Sequence, residues 1–349
     1  MKYVPIRNLS DGLVLGQDIH NAVGARLLQK NTRLTQKDIK FIDNLGIPGV
    51  YIDDTFSADI IITEQIKPEL SLKAEKMIAG LFGLVHEQEL PEEELAIKAM
   101  VTEIVDDIMS EEQVMHNLMT IKTYDDYTYV HSVEVAILSG VLAAKCKYKR
   151  DIVEKCVTAG FLHDLGKVEI DEEVINAPRR LTEVERNQMM DHPRIAYDIL
   201  TSTFNFDDEI NLAVYQHHEW YNGGGYPNHT MYDDIVKIAR LIKCADVFDA
   251  MTTKRPYHAP YLPSEVMEYI MGRSGMEFDP DIVSVMSSEL CVYPVGCEVV
   301  LSDKRHAIVK ENHRGFVLRP TVKIIDSGEV LNLLNDSRAR KITIIKTIM

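Results

Sequence analysis

Seven residues of metal-binding type, His131, His163, Asp164, His192, His217, His218 and Asp246, fall where apolar helical rows would carry them into a core. Ile235, Ala239 and Ile242 form one face of a helical segment, and Asp246 is the next position on that face. The row Val135, Leu138, Leu142 projects back to His131. The rows Ile152, Cys156, Ala159 and Val153, Val157, Gly160 project forward to His163 and Asp164, just before Gly166 offers a helix stop. Glu185 and Met189 lead to His192, and Ile210 and Val214 lead to the adjacent pair His217 and His218. A carboxylate on a buried row is costly unless a cation or several donors meet it. Any one of these groups alone reads as a hydrogen-bonded core residue or an ion-pair member. Together they favour a shared cation, because otherwise each would have to be satisfied separately. Imidazole nitrogen and carboxylate oxygen without thiolate suit six-coordinate Fe or Mn and match a closed zinc site poorly. Five histidines and two aspartates are too many for one octahedral ion with an open position, so the economical arrangement is two divalent ions bridged by a carboxylate. Asp164, beside His163, is the natural bridge. After the histidine pair, HHEWYNGGGYP supplies a run of glycines that lets the backbone approach something closely.

The elements that must hold these side chains can be read along the chain. Residues 1–65 mix short β-like runs, Leu13-Val14-Leu15 and Val50-Tyr51-Ile52, with one helix capped by Thr35 and Asp38 and stopped at Gly46, a small α+β unit. Residues 66–116 form a helical connector. In it, Pro91 and the glutamates after it start a helix whose Ile97, Val101, Ile104, Val105 and Ile108 must pack on something. Those helices could dimerise or transmit a signal, and a solvated connector fits as well. Residues 117–290 are helical almost throughout, and Thr182 with Glu185 makes a capping box ahead of His192-Pro193. Residues 291–349 shorten their period towards two, a small β-rich unit. The fold class is mainly α, with small units at either end.

The formal charge of −16 argues against nucleic-acid polymers and anionic membranes as partners, since both require a positive surface. The five cysteines form no C-x-x-C and sit in apolar patterns, which reads as a reducing compartment. No segment approaches the ~20 apolar residues of a membrane span, and the first residues lack a signal-peptide run, so the expected location is the cytoplasm.

Over about residues 117–290 the sequence resembles the HD-GYP branch of the HD-domain phosphohydrolases. The resemblance rests on HSVEVA at His131, HDLGK at 163–167, HP at 192, HHE followed by GYP, and ADVFDAMTTKRPY from Ala245, in that order. It implies a helical metal-dependent domain that hydrolyses cyclic di-GMP to linear pGpG, with water activated between two ions; whether pGpG is cut again to GMP is left open by the resemblance. By the same resemblance His131, His163, Asp164 and Asp246 hold one ion, and Asp164, His192, His217 and His218 hold the other. Asp164 and Lys167 are the catalytic residues: Lys167 meets the scissile phosphate and protonates the leaving oxygen. Arg255 neutralises phosphate charge, and Gly225 and Tyr226 lie where a guanine base rests. The partners implied are cyclic di-GMP, a second copy of the chain, or a signalling protein.

Several positions depart from the family pattern. Some members carry a glutamate four residues before the first histidine, associated with a third ion; here it is Tyr127, with Asp125 and Asp126 off register, so two ions are expected. Trp220, Asn222 and Gly224 replace the usual arginine, aspartate and serine of the loop, which puts loop shape and base recognition in question. Ala196 stands where glycine is common. His258 replaces a cation and carries charge only when protonated, which weakens substrate binding near neutral pH. No departure removes a ligand, which favours an enzyme. The alternatives are a cyclic di-GMP sensor or scaffold with little turnover, and a phosphohydrolase acting on another nucleotide.

Overall fold

The computed structural model describes residues 1–20, 25–62, 66–84, 90–110, 116–117, 127–253 and 260–348. Near the start of the chain, β1 (Lys2–Pro5), β2 (Val14–Leu15), β3 (Ile19–His20) and β4 (Arg26–Leu28) precede helix α1 (Gln36–Asn44) and strand β5 (Gly49–Asp53). Thr35 and Asp38 cap α1 reciprocally, as the sequence predicts, and Gly46 follows with a positive φ of 71°. Strand β5 pairs antiparallel with β1 and β2, and Ile42 of α1 joins Leu15, Ile19, Val50 and Ile52 in a small core.

The helical body begins with α2 (Pro68–Leu84) and α3 (Pro91–Ser110). Ile97, Val101, Ile104, Val105 and Ile108 of α3 are buried in one core with α4 (Tyr127–Lys145) and α5 (Arg150–Leu162). These two helices are therefore part of the packed body, a correction to the reading of a solvated connector. A two-residue strand, β6 (His116–Asn117), precedes α4. After α5 come α6 (Glu172–Ile175), α7 (Glu183–Met190), α8 (His192–Thr203), α9 (Asp208–Gln216), α10 (Lys237–Thr252), α11 (Pro263–Gly272) and α12 (Pro280–Glu289). Thr182 caps α7 through the box with Glu185, and Pro193 sits in the first turn of α8.

Strand β7 (Leu290–Cys291) runs parallel to β6 and leads into β8 (Glu298–Leu301), β9 (His306–Glu311), β10 (Thr321–Ile324), β11 (Val330–Asn332) and β12 (Ile344–Ile348). The last five make an antiparallel sheet in the order β11-β10-β9-β8-β12. Its Val299, Leu301, Val309 and Val322 belong to the same apolar cluster as the helices. The two small units also meet each other: Tyr3 donates its backbone N–H to Gly296 at 2.9 Å, and Tyr3, Tyr51 and Cys297 form a buried seam. Asp59 accepts from Lys310 at 2.6 Å and Lys323 at 2.8 Å across the same junction. All five cysteines are free, and among the described residues no helix is long and apolar enough to cross a membrane.

Candidate metal centre

Helix ends build the site. His163 lies just past α5, His192 opens α8 directly after α7, and His217 and His218 follow α9. At such ends the last carbonyls lack helical partners, and three imidazoles use them. His163 donates Nδ1–H to Gly160 O at 2.7 Å, His192 to Met189 O at 2.7 Å, and His217 to Val214 O at 2.6 Å. A carbonyl only accepts, so each Nδ1 carries the hydrogen and each Nε2 presents a lone pair inward. His131 comes instead from the first half of α4, and its Nδ1 meets Asp249 Oδ2 of α10 at 2.7 Å.

The inward atoms converge as two trios. The ligand atoms of His192, His217 and His218 lie within 4.8 Å of one another, as do those of His131, His163 and Asp164. Asp246 joins the second trio, with Oδ1 at 3.2 Å from His131 Nε2. Asp164 divides its oxygens between the trios: Oδ1 is 3.4 Å from His192 Nε2, while Oδ2 is 3.3 Å from His163 Nε2 and 3.7 Å from His131 Nε2. That is the disposition a bridging carboxylate needs.

Two observations test whether these residues suit a metal. His163 Nε2 is buried without a hydrogen-bond partner. His192 Nε2 and His217 Nε2 approach to 3.2 Å although both rings already donate from Nδ1, so two lone pairs face each other. A buried acceptor without a donor costs ~1–3 kcal/mol, and a divalent cation among the Nε2 atoms would remove both defects. The electrostatics agree. Burial pushes the His192 imidazole down to about 4, and burial with neighbouring imidazoles holds His217 and His218 well below their usual range, so all three are neutral ligands. Burial works against ionisation of Asp164, but the neighbouring His163 and the Lys167 ammonium keep its carboxyl well below the usual range. Asp246 is likewise held low: burial opposes this most strongly, but the bond to His131 and the surrounding imidazoles together outweigh it.

Gly166 places His192. The sequence suggests a helix stop there, but α5 already ends at Leu162, and Gly166 sits inside a 3-10 turn, Leu165–Glu169. A Cβ on it would lie 2.0 Å from His192 O and 2.6 Å from Ala196 N, so glycine is required for α8 to reach Asp164. The same turn presents Lys167, whose Nζ is 2.6 Å from Asp164 Oδ2. Gly225 has a similar role, since a Cβ there would meet Trp220 N at 2.3 Å and His218 O at 2.4 Å. Tyr226 then lies over His218, ring centroids 4.7 Å apart and planes at 17°.

The replaced loop positions have their own anchors. Asn222 Oδ1 accepts from Gly224 N at 3.1 Å, Asn222 N donates to Met276 O at 2.9 Å, and the Arg273 guanidinium lies 5.7 Å over the Trp220 ring. Behind the loop, buried Lys243 pairs with Glu277 at 3.2 Å and Arg240 with Asp279 at 2.7 Å. Arg255, His258, Asp125 and Asp126 lie outside the described residues, and Tyr127 is the first residue of α4. Sequence reasoning missed Asp249. Its signal was the spacing of three from Asp246 in ADVFDAM, which puts both carboxylates on one helix face.

A family model described as an HD domain matches residues 105–282. Over 229 residues the chain is 31% identical to Cyclic di-GMP phosphodiesterase PA4108 of Pseudomonas aeruginosa, covering 66% of this chain and 55% of that protein. Over 150 residues it is 35% identical to Cyclic di-GMP phosphodiesterase response regulator RpfG of Xanthomonas campestris pv. campestris, covering 43% and 40% respectively. The chain thus spans about half the length of the curated relatives it matches. A solved structure, Bd1817, a HDG"Y"P protein from Bdellovibrio bacteriovorus, shares the fold with a TM-score of 0.54 at 17% identity, covering 81% of this chain and 97% of that one. The helices just described carry HDLGK, the histidine pair and GYP in order, and the chain belongs to the HD domain family.

Proposed function

We propose that this protein is a metal-dependent phosphodiesterase that cleaves cyclic di-GMP to linear pGpG and then to GMP. The observation that carries the proposal is the convergence of five imidazoles and two carboxylates: one trio of histidines, and a second trio joined by Asp246, with Asp164 of the second facing both. The relatives named as cyclic di-GMP phosphodiesterases support the substrate. His131, His163, Asp164 and Asp246 would hold one divalent ion, Fe or Mn, and Asp164, His192, His217 and His218 a second. When bound there, such ions supply Lewis-acid charge and lower the pKa of a water.

The chain's own residues do the rest. Lys167 carries a proton at Nζ, half-buried beside Asp164 Oδ2, where it can neutralise a phosphoryl oxygen and pass its proton to the leaving ribose oxygen. The fixed Nδ1 hydrogen bonds of His163, His192 and His217 keep their rings from reorganising as charge develops. A formal charge of −16 disfavours anionic polymers, and a small dianionic substrate in the cytoplasm would need positive charge concentrated at the site, to which Lys167 contributes.

The test is anaerobic purification with metal analysis, followed by chromatography of cyclic di-GMP incubated with Mn(II) or Fe(II), alongside an Asp164→Ala protein. Linear dinucleotide or GMP is expected with the parent only. Intact cyclic di-GMP from protein carrying about two ions per chain would overturn the reading and make it a nucleotide sensor or an enzyme for another phosphodiester.

A further inference from the structure

Four of the five imidazoles are fixed by a hydrogen bond from Nδ1: His163, His192 and His217 to carbonyls, and His131 to Asp249. His218 has no ring hydrogen bond among the described residues. Its ring is held by Tyr226, stacked at 4.7 Å with the planes only 17° apart. The backbone sets up this contact. Gly225 is buried against the backbone of His218 and Trp220, and Tyr226 donates its N–H back to His218 O at 3.3 Å. The loop therefore doubles back on the very residue whose side chain Tyr226 covers. Burial pushes the phenol up, so it stays protonated, and its oxygen makes no hydrogen bond among the described residues. The hydroxyl has no visible task here, whereas the ring does.

We propose that Tyr226 is a positioning residue whose ring, stacked on His218, takes the place of the Nδ1 hydrogen bond this imidazole lacks and fixes its plane for metal binding. A flat contact on one face restricts rotation about the Cβ–Cγ bond and leaves both ring nitrogens clear. This role is additional to the expected one of resting against a guanine base, since the contact with His218 takes only one face of the ring. The inference rests on the metal reading above.

The test compares wild type, Tyr226→Phe and Tyr226→Leu, each stripped of metal and equilibrated with Mn(II) in dialysis, with elemental analysis of the bound ion. Tyr226→Phe should match the wild type, and Tyr226→Leu should bind one ion about tenfold or more weakly, the usual effect of losing a group that orients a ligand. In the metal-free proteins, the ring-current shift on the His218 imidazole resonances should persist in the Phe variant and vanish in the Leu variant. A Phe variant as impaired as Leu would overturn the proposal, as would a Leu variant that binds Mn(II) like the wild type. So would a raised KM with normal metal binding, which would assign the ring to the base. Should Tyr226→Leu not fold, Tyr226→Met, with similar bulk and no ring, takes its place under the same criteria. A wild type that takes up no Mn(II) overturns the metal reading and this inference with it, whereas a fully loaded wild type beside an equally loaded Leu variant overturns the inference alone.

Discussion

At the level of single residues, each imidazole of the site is held by a partner outside the donor set. Asp249 is the only carboxylate among those partners, and it grips His131 at 2.7 Å. Replacing it with alanine removes the bond that orients the His131 ring through Nδ1, and metal affinity should fall ~10- to 100-fold while the circular dichroism spectrum stays the same. Titration of apoprotein with Mn(II) checks this. The buried neutral imidazoles also give the metal-free protein a pH signature. His192 titrates at about 4 in the fold against an ordinary 6.5, and His217 and His218 are displaced the same way. Between those values the unfolded chain binds more protons, so stability rises with pH, is fully present above 6.5, and is lost as pH falls through about 4. His131 behaves oppositely. Burial lowers it, but Asp246 and Asp249 together raise it, so its contribution fades only above the ordinary imidazole range, outside that window. For His192 alone the window is worth on the order of 3 kcal/mol. Urea midpoints of apoprotein should therefore drop between pH 6.5 and 4.5; flat midpoints would contradict neutral buried imidazoles.

At the level of elements, the site depends on how closely α8 can approach the turn after α5. Gly166→Ala places a Cβ 2.0 Å from His192 O, so α8 must move. Overpacking of this kind costs ~1–3 kcal/mol. The variant should melt lower and lose metal by more than its stability loss accounts for, because the shift is borne by a ligand; melting curves and metal content measure both. Most of this architecture was legible in the sequence. The apolar rows ending at His131, His163, His192, His217 and Asp246 predict helices, and the helices are there, because a repeat of 3.6 is a local property. The capping boxes at Thr35 and Thr182 were legible for the same reason. The role of Gly166 was not: its constraint comes from the backbone of His192 and Ala196, far along the chain, about which local spacing says nothing. The stacking of Tyr226 on His218 was equally hidden, since it depends on how the loop reverses.

At the level of the whole molecule, the first and last units clasp each other through Tyr3, Tyr51 and Cys297, and no periodicity could have announced it. Tyr3 is buried and meets Tyr51 edge to face at 5.7 Å. Truncating a buried aromatic costs ~3 kcal/mol, so Tyr3→Ala should speed amide exchange in residues 1–62 by about 100-fold. Exchange in α4 to α10 should be unaffected, as hydrogen-exchange mass spectrometry would show. The donors of the metal centre are themselves spread from position 131 to position 246, one or two from each of five successive segments. Contacts so far apart in sequence form only after the intervening chain has closed its loops. No partly folded species lacking α10 holds Asp246 or the Asp249 that orients His131. A full set of donors therefore requires α4 through α10 to be in place, so an ion held by all of them would report an assembled helical body rather than any one helix.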